Sequence, residues 1–539
     1  MNTCATSLSA YDPLPASAGF CRVFPGFLTA EACLALIAER EAQPFADAGH
    51  DYPPSYRNNM RQVWDNEALA QTLAAALQTL APACLSLPDA AGQVQPWQFE
   101  GINPRFRCCR YEPGQQFQLH QDGVHWRGPA IRSGLTFMIY LTDGDAFEGG
   151  DTVFYSAGPG GHEDGRPAQE IGRVRPRAGS LILFDHAIWH AGAVLVAGRK
   201  HVLRSDVLYR STSAAMTAAH SPFMPGHQGY VWTLARLAPG VLASGGRDSH
   251  IRVWRDDGTP ITVLQGHTQS VLGLAALTAQ TLLSVSRDRS LRWWHWPSGE
   301  CLRTVQAHAA AILDVQVLSE ACIATAGADG LIHLFDATGQ RQRTLTGHQG
   351  WVWQLAVLPA GRLASASEDG SLRIWSADGT CLQVLAGDQP LRTLLWADGL
   401  LWSGDVMGQI QAWRPEGDRW CVCFRHKAHR AAVRRLRALA PGWMGSVGED
   451  GQLAVWKGLA VVPSHQALLP NFATDLLPLR SGALLSSAYD GGLRVHEGGN
   501  NGLVCGMGKL VAATGGQAPA GRPAPAVAGL CRAASSLPH

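Results

Sequence analysis

The sequence predicts a mainly β protein in two parts: an N-terminal double-stranded β-helix (jelly roll) with flanking helices, then a seven-bladed β-propeller. Two observations predict it. From about Trp97 to Leu208, short apolar runs alternate with turns marked by Gly and Pro, the pattern of many short strands folded into two facing sheets. Further on, Gly226-His227, Gly266-His267, Ala307-His308, Gly347-His348, Gly387-Asp388, Ala428-His429 and Ser464-His465 recur at spacings of 40, 41, 40, 40, 41 and 36. A period near forty residues marks four-stranded propeller units. The expected boundaries are 1–211 for the first domain, 212–498 for the second, and 499–539 for a disordered tail rich in Gly, Ala and Pro.

Composition narrows the classes. The 539 residues are 46% hydrophobic and 16% charged with net charge +1, so nothing favours a nucleic acid or an acidic membrane surface as partner. No apolar run reaches membrane-spanning length. The opening Met1-Asn-Thr-Cys-Ala lacks a basic n-region and a sustained apolar run, so no secretory signal is expected. Thirteen scattered cysteines form no C-x-x-C pair; Cys108, Cys109, Cys421 and Cys423 read as small core residues, and a reducing cytoplasm is expected.

In chain order, Phe27 to Glu39 reads as a helix capped by Thr29, with Glu31 in its first turn. Leu69, Leu73, Ala76, Leu77 and Leu80 repeat at helical spacing in a second helix that braces the sheet. Between them, Tyr56 to Arg61 is too polar for a core. Arg57 and Asn58 would line the mouth of a site or, the preferred reading, sit in a solvated loop. Arg105 and Arg107 share one face of the first long strand, where they would meet an anionic substrate group or form a surface edge.

The chemistry gathers in the stretch from Arg110 to Gly123. His120 and Asp122, two apart in extended chain, point to one side and can grip one metal ion. His190 would be the third ligand. Two histidines and one carboxylate with open positions opposite suit non-haem Fe(II). Lys200, ten residues after His190, is a cation able to hold the far carboxylate of a keto acid. Tyr111 precedes His120 by nine residues; Leu135 to Leu141, the Phe147-Glu-Gly-Gly-Asp-Thr152-Val-Phe154 turn and Arg177 to Phe184 follow in order. The set resembles the 2-oxoglutarate- and Fe(II)-dependent oxygenases, in particular the branch related to prolyl 4-hydroxylases. The resemblance implies Fe(II), 2-oxoglutarate and O₂ as cofactor and co-substrates, with ascorbate a candidate reductant, and it places Tyr111 and Lys200 on 2-oxoglutarate. No catalytic side chain is implied beyond the metal ligands. His186 rivals His190, but the family spacing to Lys200 selects His190. Arg204 rivals Lys200 as the anchor. His125, His162 and His201 read as surface or supporting residues, with His125 near enough to touch substrate.

In the second half, Ser244, Asp248 and Trp254 follow the first Gly-His; Ser284, Asp288 and Trp294 the second; Ser365, Asp369 and Trp375 the fourth. This resembles the WD-repeat family. Recurrent Ser, His and Asp could suggest catalysis, but a buried Asp satisfied by His, Ser and Trp in blade after blade reads as scaffolding. The third repeat has Phe335 and the seventh His496 in place of Trp. The fifth has Asp388 for His and Met407 for Asp, with Ser403 and Trp413 kept. These blades are expected to be softer. Tyr230, Arg247, Arg287 and Trp351 are expected on the top face as a surface for a protein substrate or partner. Trp232 and Trp353, which align with each other as Tyr230 and Trp351 do, would join that face or, the preferred reading, sit in inter-blade packing. Ser211 to Pro225 joins the halves, and Ala214 to Pro222 is expected to close blade seven as its outer strand.

The reading is therefore a dioxygenase, an oxidoreductase that hydroxylates a protein residue, proline being one candidate, with the propeller as docking module. Oxidation of a small metabolite, with the propeller used for assembly, and a non-enzymatic scaffold are the alternatives.

Overall fold

Helix Ala30–Glu41 begins where Thr29 accepts the Ala32 N–H, and helix Glu67–Leu77 where Asn66 accepts the Leu69 N–H. Leu80 lies beyond the second helix, and Leu73 and Leu77 carry its buried stripe. The computed structural model describes residues 9–504 apart from 49–52, 54–55, 89–93, 126, 128–129, 159–165, 213–226, 228, 418, 470–471, 490 and 500–501.

Both helices pack on the outer face of a nine-stranded antiparallel sheet. Its centre is Leu181–Asp185, Ile131–Tyr140, Lys200–Ser211 and Arg105–Tyr111, side by side in that order. Side chains alternate across each strand. Phe106 and Cys108, Leu135 and Phe137, and Leu203 and Val207 face the helices. Cys109 and Tyr111, Met138 and Tyr140, and Val202 face inward. The opposing sheet has four strands in the order Glu170–Val174, Thr152–Tyr155, Trp189–Gly192, Phe117–His120. The inner core between these sheets is the jelly roll's second apolar layer.

Residues 231–504 form seven four-stranded sheets, each a blade built from strands adjacent in sequence. The ring closes through buried polar bonds. Asp475 accepts the Leu234 N–H at 2.8 Å and Arg437 Nη2 at 2.7 Å, while Arg437 also donates to the Leu234 carbonyl at 2.8 Å. The polar residues that recur are satisfied as scaffolding requires. In the first blade His227 meets Asp248 and Ser244, each at 2.8 Å, and Trp254 donates to Ser244 at 2.9 Å. The second, fourth and sixth blades repeat this set of bonds.

The degenerate blades compensate locally. In the fifth, Asp405 takes over the turn, accepting the Met407 and Gln409 N–H groups at 2.9 and 2.8 Å. In the seventh, His496 reaches Ser486 at 2.8 Å, replacing the Trp. The seventh repeat is out of register with the sequence expectation. His465 lies in His465–Leu468, the outer strand of the sixth blade, and the seventh blade starts at Ala473. The repeat spacing of about forty residues puts Leu469, not His465, at the position that holds His in the intact blades, and Leu469 is buried. The fourth strand of the seventh sheet is Gly502–Val504, paired with Glu497 to Gly499. The proposed closing segment Ala214 to Pro222 lies outside the described residues, as does nearly all of the tail. Among the described residues no helix is long and apolar enough to cross a membrane.

Candidate active site

Strand register builds the site. On Arg105–Tyr111 the inner face carries Arg105, Arg107, Cys109 and Tyr111; on Lys200–Ser211 it carries Lys200, Val202, Arg204 and Asp206. Lys200 lies opposite Tyr111, and Arg204 opposite Arg107. A polar ladder therefore runs from a buried end, at Lys200, to an open end, at Arg105. Facing it, His190 pairs across strands with both His120 and Phe154.

His120, Asp122 and His190 bring one ligand atom each within 4.8 Å of one another. His120 Nδ1 donates to the Gln118 carbonyl at 2.6 Å and His190 Nδ1 to the Ile188 carbonyl at 2.9 Å. A carbonyl cannot donate, so both Nδ1 atoms carry the proton and both Nε2 lone pairs are bare. Those Nε2 atoms are buried without a hydrogen-bond partner and lie 3.8 and 3.5 Å from the Asp122 carboxylate. Burial keeps both imidazoles neutral. Burial opposes ionisation of Asp122, but the Arg204 guanidinium outweighs it and holds the carboxyl well below its ordinary range. Two neutral imidazoles and a carboxylate are the protonation states a divalent metal requires. Phe117 stacks on His120 at 3.6 Å, and Phe184 closes on His190 at 4.8 Å.

The buried Lys200 ammonium donates to the Gly150 carbonyl at 2.6 Å and sits 4.6 Å from the Tyr111 ring centre. Gly149 and Gly150 both take positive φ, 75° and 70°, and a methyl on Gly149 would stand 2.3 Å from the Val194 carbonyl. The Gly-Gly turn thus delivers that carbonyl where a side chain could not fit. Burial lowers the Lys200 pKa to about 8 and raises that of Tyr111 to about 12. Arg204 is engaged elsewhere: its Nη2 donates to both Asp122 oxygens at 2.7 Å.

With this geometry, the comparison with known families is decisive for the first half. Residues 106–204 match the model of the 2OG-Fe(II) oxygenase superfamily. The first half carries a 2OG-Fe(II) oxygenase domain. Residues 220–255, 258–295, 299–336 and 339–376 match the WD domain, G-beta repeat, so the oxygenase is followed by WD repeats. Curated proteins similar to the chain include nuclear distribution protein PAC1 of Yarrowia lipolytica, 29% identical over 27% of this chain and 32% of its own length. Phospholipase A-2-activating protein of Xenopus laevis is 35% identical over 18% of this chain and 13% of its own length. F-box/WD repeat-containing protein sel-10 of Caenorhabditis elegans is 32% identical over 18% of this chain and 17% of its own length. The chain thus spans about a third or less of the relatives it matches. The family is an oxidoreductase family, and it implies Fe(II) and 2-oxoglutarate.

Behind the oxygenase's Asp122 runs a directional hydrogen-bond chain that sequence reasoning missed. The His125 N–H donates to Ser133 Oγ at 2.8 Å, Ser133 and His186 Nε2 are 2.8 Å apart, His186 Nδ1 and Thr136 Oγ1 3.0 Å, and Thr136 donates to Asp122 Oδ2 at 2.6 Å. Both ring nitrogens of His186 are occupied, so it braces the site and does not face the metal position. His201 is buried against Glu41 at 2.7 Å; His162 lies outside the described residues. Arg57, expected in a solvated loop, is buried over the Phe117 ring at 4.3 Å and donates to Asn59 at 2.7 Å. Cation–π contact and a side-chain acceptor offset its burial. Asn58 accepts the Gln116 N–H at 2.8 Å.

The second group of metal-ligand type, His308, Asp329 and His333, is the third blade's scaffold. His308 spends both ring nitrogens, on Asp329 at 3.0 Å and Thr325 at 2.8 Å.

The oxygenase opens onto the propeller. A cavity of about 910 Å³ has Phe117, His120, Asp122 and Arg204 on one wall and Tyr230, Trp232, Arg247 and Trp353 on the other. Tyr230 touches the loop after the ligand pair: a methyl on Gly123 would stand 2.9 Å from its hydroxyl. Trp353 donates to Glu368 at 2.7 Å and carries Arg392 over its ring at 4.1 Å. Trp351, expected on the exposed face, is instead buried against Leu272 and Leu313. Trp353, two residues on, packs against it with ring centres 5.3 Å apart and lines the cavity.

Proposed function

We propose that this chain is an Fe(II)- and 2-oxoglutarate-dependent dioxygenase that hydroxylates a residue of a protein substrate, proline being the first candidate, with the propeller face as the docking surface. The observation that carries the reading is the pair of orphaned Nε2 atoms beside an ionised Asp122, at the floor of a cavity whose far wall is the propeller. His120, Asp122 and His190 would hold Fe(II); Lys200 and Tyr111 would receive the far carboxylate of 2-oxoglutarate. Bound Fe(II) would supply O₂ activation, coupling decarboxylation of 2-oxoglutarate to succinate with oxidation of a substrate C–H bond.

The chain's own residues do the positioning. The Gln118 and Ile188 carbonyls fix the imidazole tautomers, Arg204 and Thr136 fix the carboxylate, and Phe117 and Phe184 exclude water. Tyr230, Arg247 and Arg287 line the cavity and would contact substrate. The ten described cysteines are all unpaired, which supports a reducing cytoplasm.

A metabolite substrate is the second reading, favoured by a cavity volume of about 910 Å³, within the range of small-molecule sites. Succinate release with Fe(II) and 2-oxoglutarate, measured over proline-containing peptides and over metabolites, separates the two. Stimulation by peptides alone supports protein hydroxylation; stimulation by metabolites alone moves the propeller to an assembly role. Absence of Fe(II)-dependent succinate under every condition would sink the enzyme reading.

A further inference from the structure

Asp122 lies beyond the end of Phe117–His120, in the loop that leads to Ile131–Tyr140. A ligand on irregular backbone is aimed only as well as that backbone is held. The oxygenase pins the loop twice. The Asp122 N–H donates to the His186 carbonyl at 3.1 Å. Further on, the His125 N–H donates to Ser133 Oγ at 2.8 Å and the His125 carbonyl accepts the Ser133 N–H at 2.7 Å. Between those pins, at Gly123, the loop meets the propeller.

The Tyr230 ring lies so close to Gly123 that a methyl there would stand 2.9 Å from the hydroxyl oxygen and 3.3 and 3.4 Å from two ring carbons. Gly123 lies outside the left-handed region, so space rather than backbone conformation calls for glycine here. The end of a tyrosine can usually swing aside from such a contact, but this one is held. Tyr489 of the seventh blade stacks on it with ring centres 4.4 Å apart and planes 19° apart, and Trp232 meets it edge-on at 5.4 Å. The Arg247 guanidinium lies 4.8 Å from its ring centre. Tyr230 precedes the first blade, so its ring is fixed where the first and seventh blades meet and the propeller closes. Burial pulls the His125 pKa down, and the cations Arg107, Arg247 and Arg105 add to it against Asp206. The propeller's charge is therefore felt at His125 as well, in the same loop.

We infer that Tyr230 is a positioning residue for the oxygenase: a propeller side chain that presses on Gly123 and so holds the loop that aims Asp122 at the metal position. The inference rests on the metal-ligand reading above and deepens it, because the propeller then belongs to the metal site as well as to the docking surface. Gly123 is the matching half of the contact, a residue kept small so that a rigid ring from the other domain can close on the loop.

The test is a double-mutant cycle in the full-length protein, read first by Mn(II) titration. Gly123→Ala should weaken Mn(II) binding by about ten- to a hundredfold, the usual effect of disturbing what orients a metal ligand. Tyr230→Ala, which only removes the outer stop on the loop, should weaken it by about three- to tenfold. The double variant has room for the added methyl and should bind no more weakly than Tyr230→Ala alone, whereas independent effects would add. Because Tyr230→Ala also loosens the propeller seam, Tyr230→Phe supplies the same reading with the stacking intact. Placed in Gly123→Ala, it removes the nearest atom and should recover at least about threefold in affinity. Asp288→Ala weakens the second blade through His267 and Thr268 and should leave Mn(II) affinity unchanged. Hydrogen exchange of the metal-free protein reads the clamp itself: the Asp122 and His125 amides should exchange at least about fivefold faster in Tyr230→Ala and no faster in Asp288→Ala. In a wild type that binds Mn(II), affinity indifferent to both positions, or losses that add, would overturn the inference, as would unchanged exchange in Tyr230→Ala. Faster exchange in a protein that binds no Mn(II) would fault the metal-ligand reading alone.

Discussion

His120 and His267 are both buried histidines with an aspartate at hand, and their difference separates a site from a scaffold. His267 uses both ring nitrogens, on Asp288 at 2.8 Å and Ser284 at 2.7 Å. Asp288 in turn accepts the Thr268 and Ser290 N–H groups at 3.0 and 2.9 Å. His120 uses only Nδ1, and its Nε2 is buried bare toward Asp122. Leaving a buried polar atom unpaired costs about 1–3 kcal/mol. The repeat histidines of the intact blades avoid that cost; His120 and His190 each incur it at Nε2. The same residue types are thus spent on stability in one half and held in reserve for a ligand in the other.

The contrast breaks most sharply at the proposed metal ligands. His120→Ala should abolish Fe(II)-dependent succinate formation and metal retention, read by turnover and by metal content after desalting. Its melting temperature without metal should stay within a few degrees of wild type, because the lost group had one hydrogen bond. Retained iron and turnover would remove His120 from the ligand set. Asp122→Ala is a less clean variant, since it also strands the buried Arg204 guanidinium.

Lys200→Ala should raise the KM for 2-oxoglutarate by roughly ten- to a hundredfold, the effect of losing one charged partner. The free ammonium has its pKa lowered to about 8 by burial. The anionic co-substrate needs the charged form, so kcat/KM for 2-oxoglutarate should be full below that pH and fall as pH rises through it. A flat profile between pH 7 and 9, or an unchanged KM in Lys200→Ala with a raised one in Arg204→Ala, would move the anchor to Arg204.

The scaffold half predicts the reverse phenotype. Asp288→Ala leaves His267 Nδ1 and two backbone N–H groups without their acceptor and should cost roughly 1–3 kcal/mol in denaturant unfolding. Succinate formation without substrate should persist, since Asp288 is bonded to His267, Thr268 and Ser290 of its own blade and to none of the proposed metal ligands. Burial raises the Asp288 pKa, but its bonds to His267 and Ser290 lower it further, so the folded value lies below the unfolded one. Its stabilisation is therefore present above the ordinary carboxylate range and lost as pH falls below it.

What was legible in the sequence follows from the same contrast. The His120–Asp122 pair and the blade networks are written at fixed offsets along single strands and turns, so spacing exposes them; His190, on another strand, is selected through the family resemblance. His465 misled because a polar dipeptide in an outer strand mimicked the repeat mark, while the true position holds Leu469, which no His pattern reveals. Arg57 looked like a loop residue because its compensation, the Phe117 ring, lies sixty residues away in sequence. Trp351 looked exposed because the residues that bury it, Leu272 and Leu313, lie in other blades. The cavity itself could not be read: it arises from how two independently recognisable domains face each other.

The smallest effect expected is also the finest test of how the site is held. Thr136 has one hydroxyl proton, and Asp122 takes it at 2.6 Å. His186 Nδ1, 3.0 Å from the same oxygen, must then be the donor to it, which leaves His186 Nε2 to accept from Ser133. His186 thereby excludes the alternative in which the Thr136 proton points away from the carboxylate. Removing Thr136's bond by Thr136→Val should weaken metal binding by about ten- to a hundredfold, the usual cost of losing a partner of a ligand. His186→Phe leaves the hydroxyl free to donate or not, so it should cost only about three- to tenfold. Because His186 acts through Thr136, the double variant should bind metal no more weakly than Thr136→Val alone. Titration of the four proteins with Mn(II) closes this cycle without relying on turnover. Additive losses would mean that His186 supports the metal position by another route, and the hydrogen-bond chain would then be packing rather than a means of aiming Asp122.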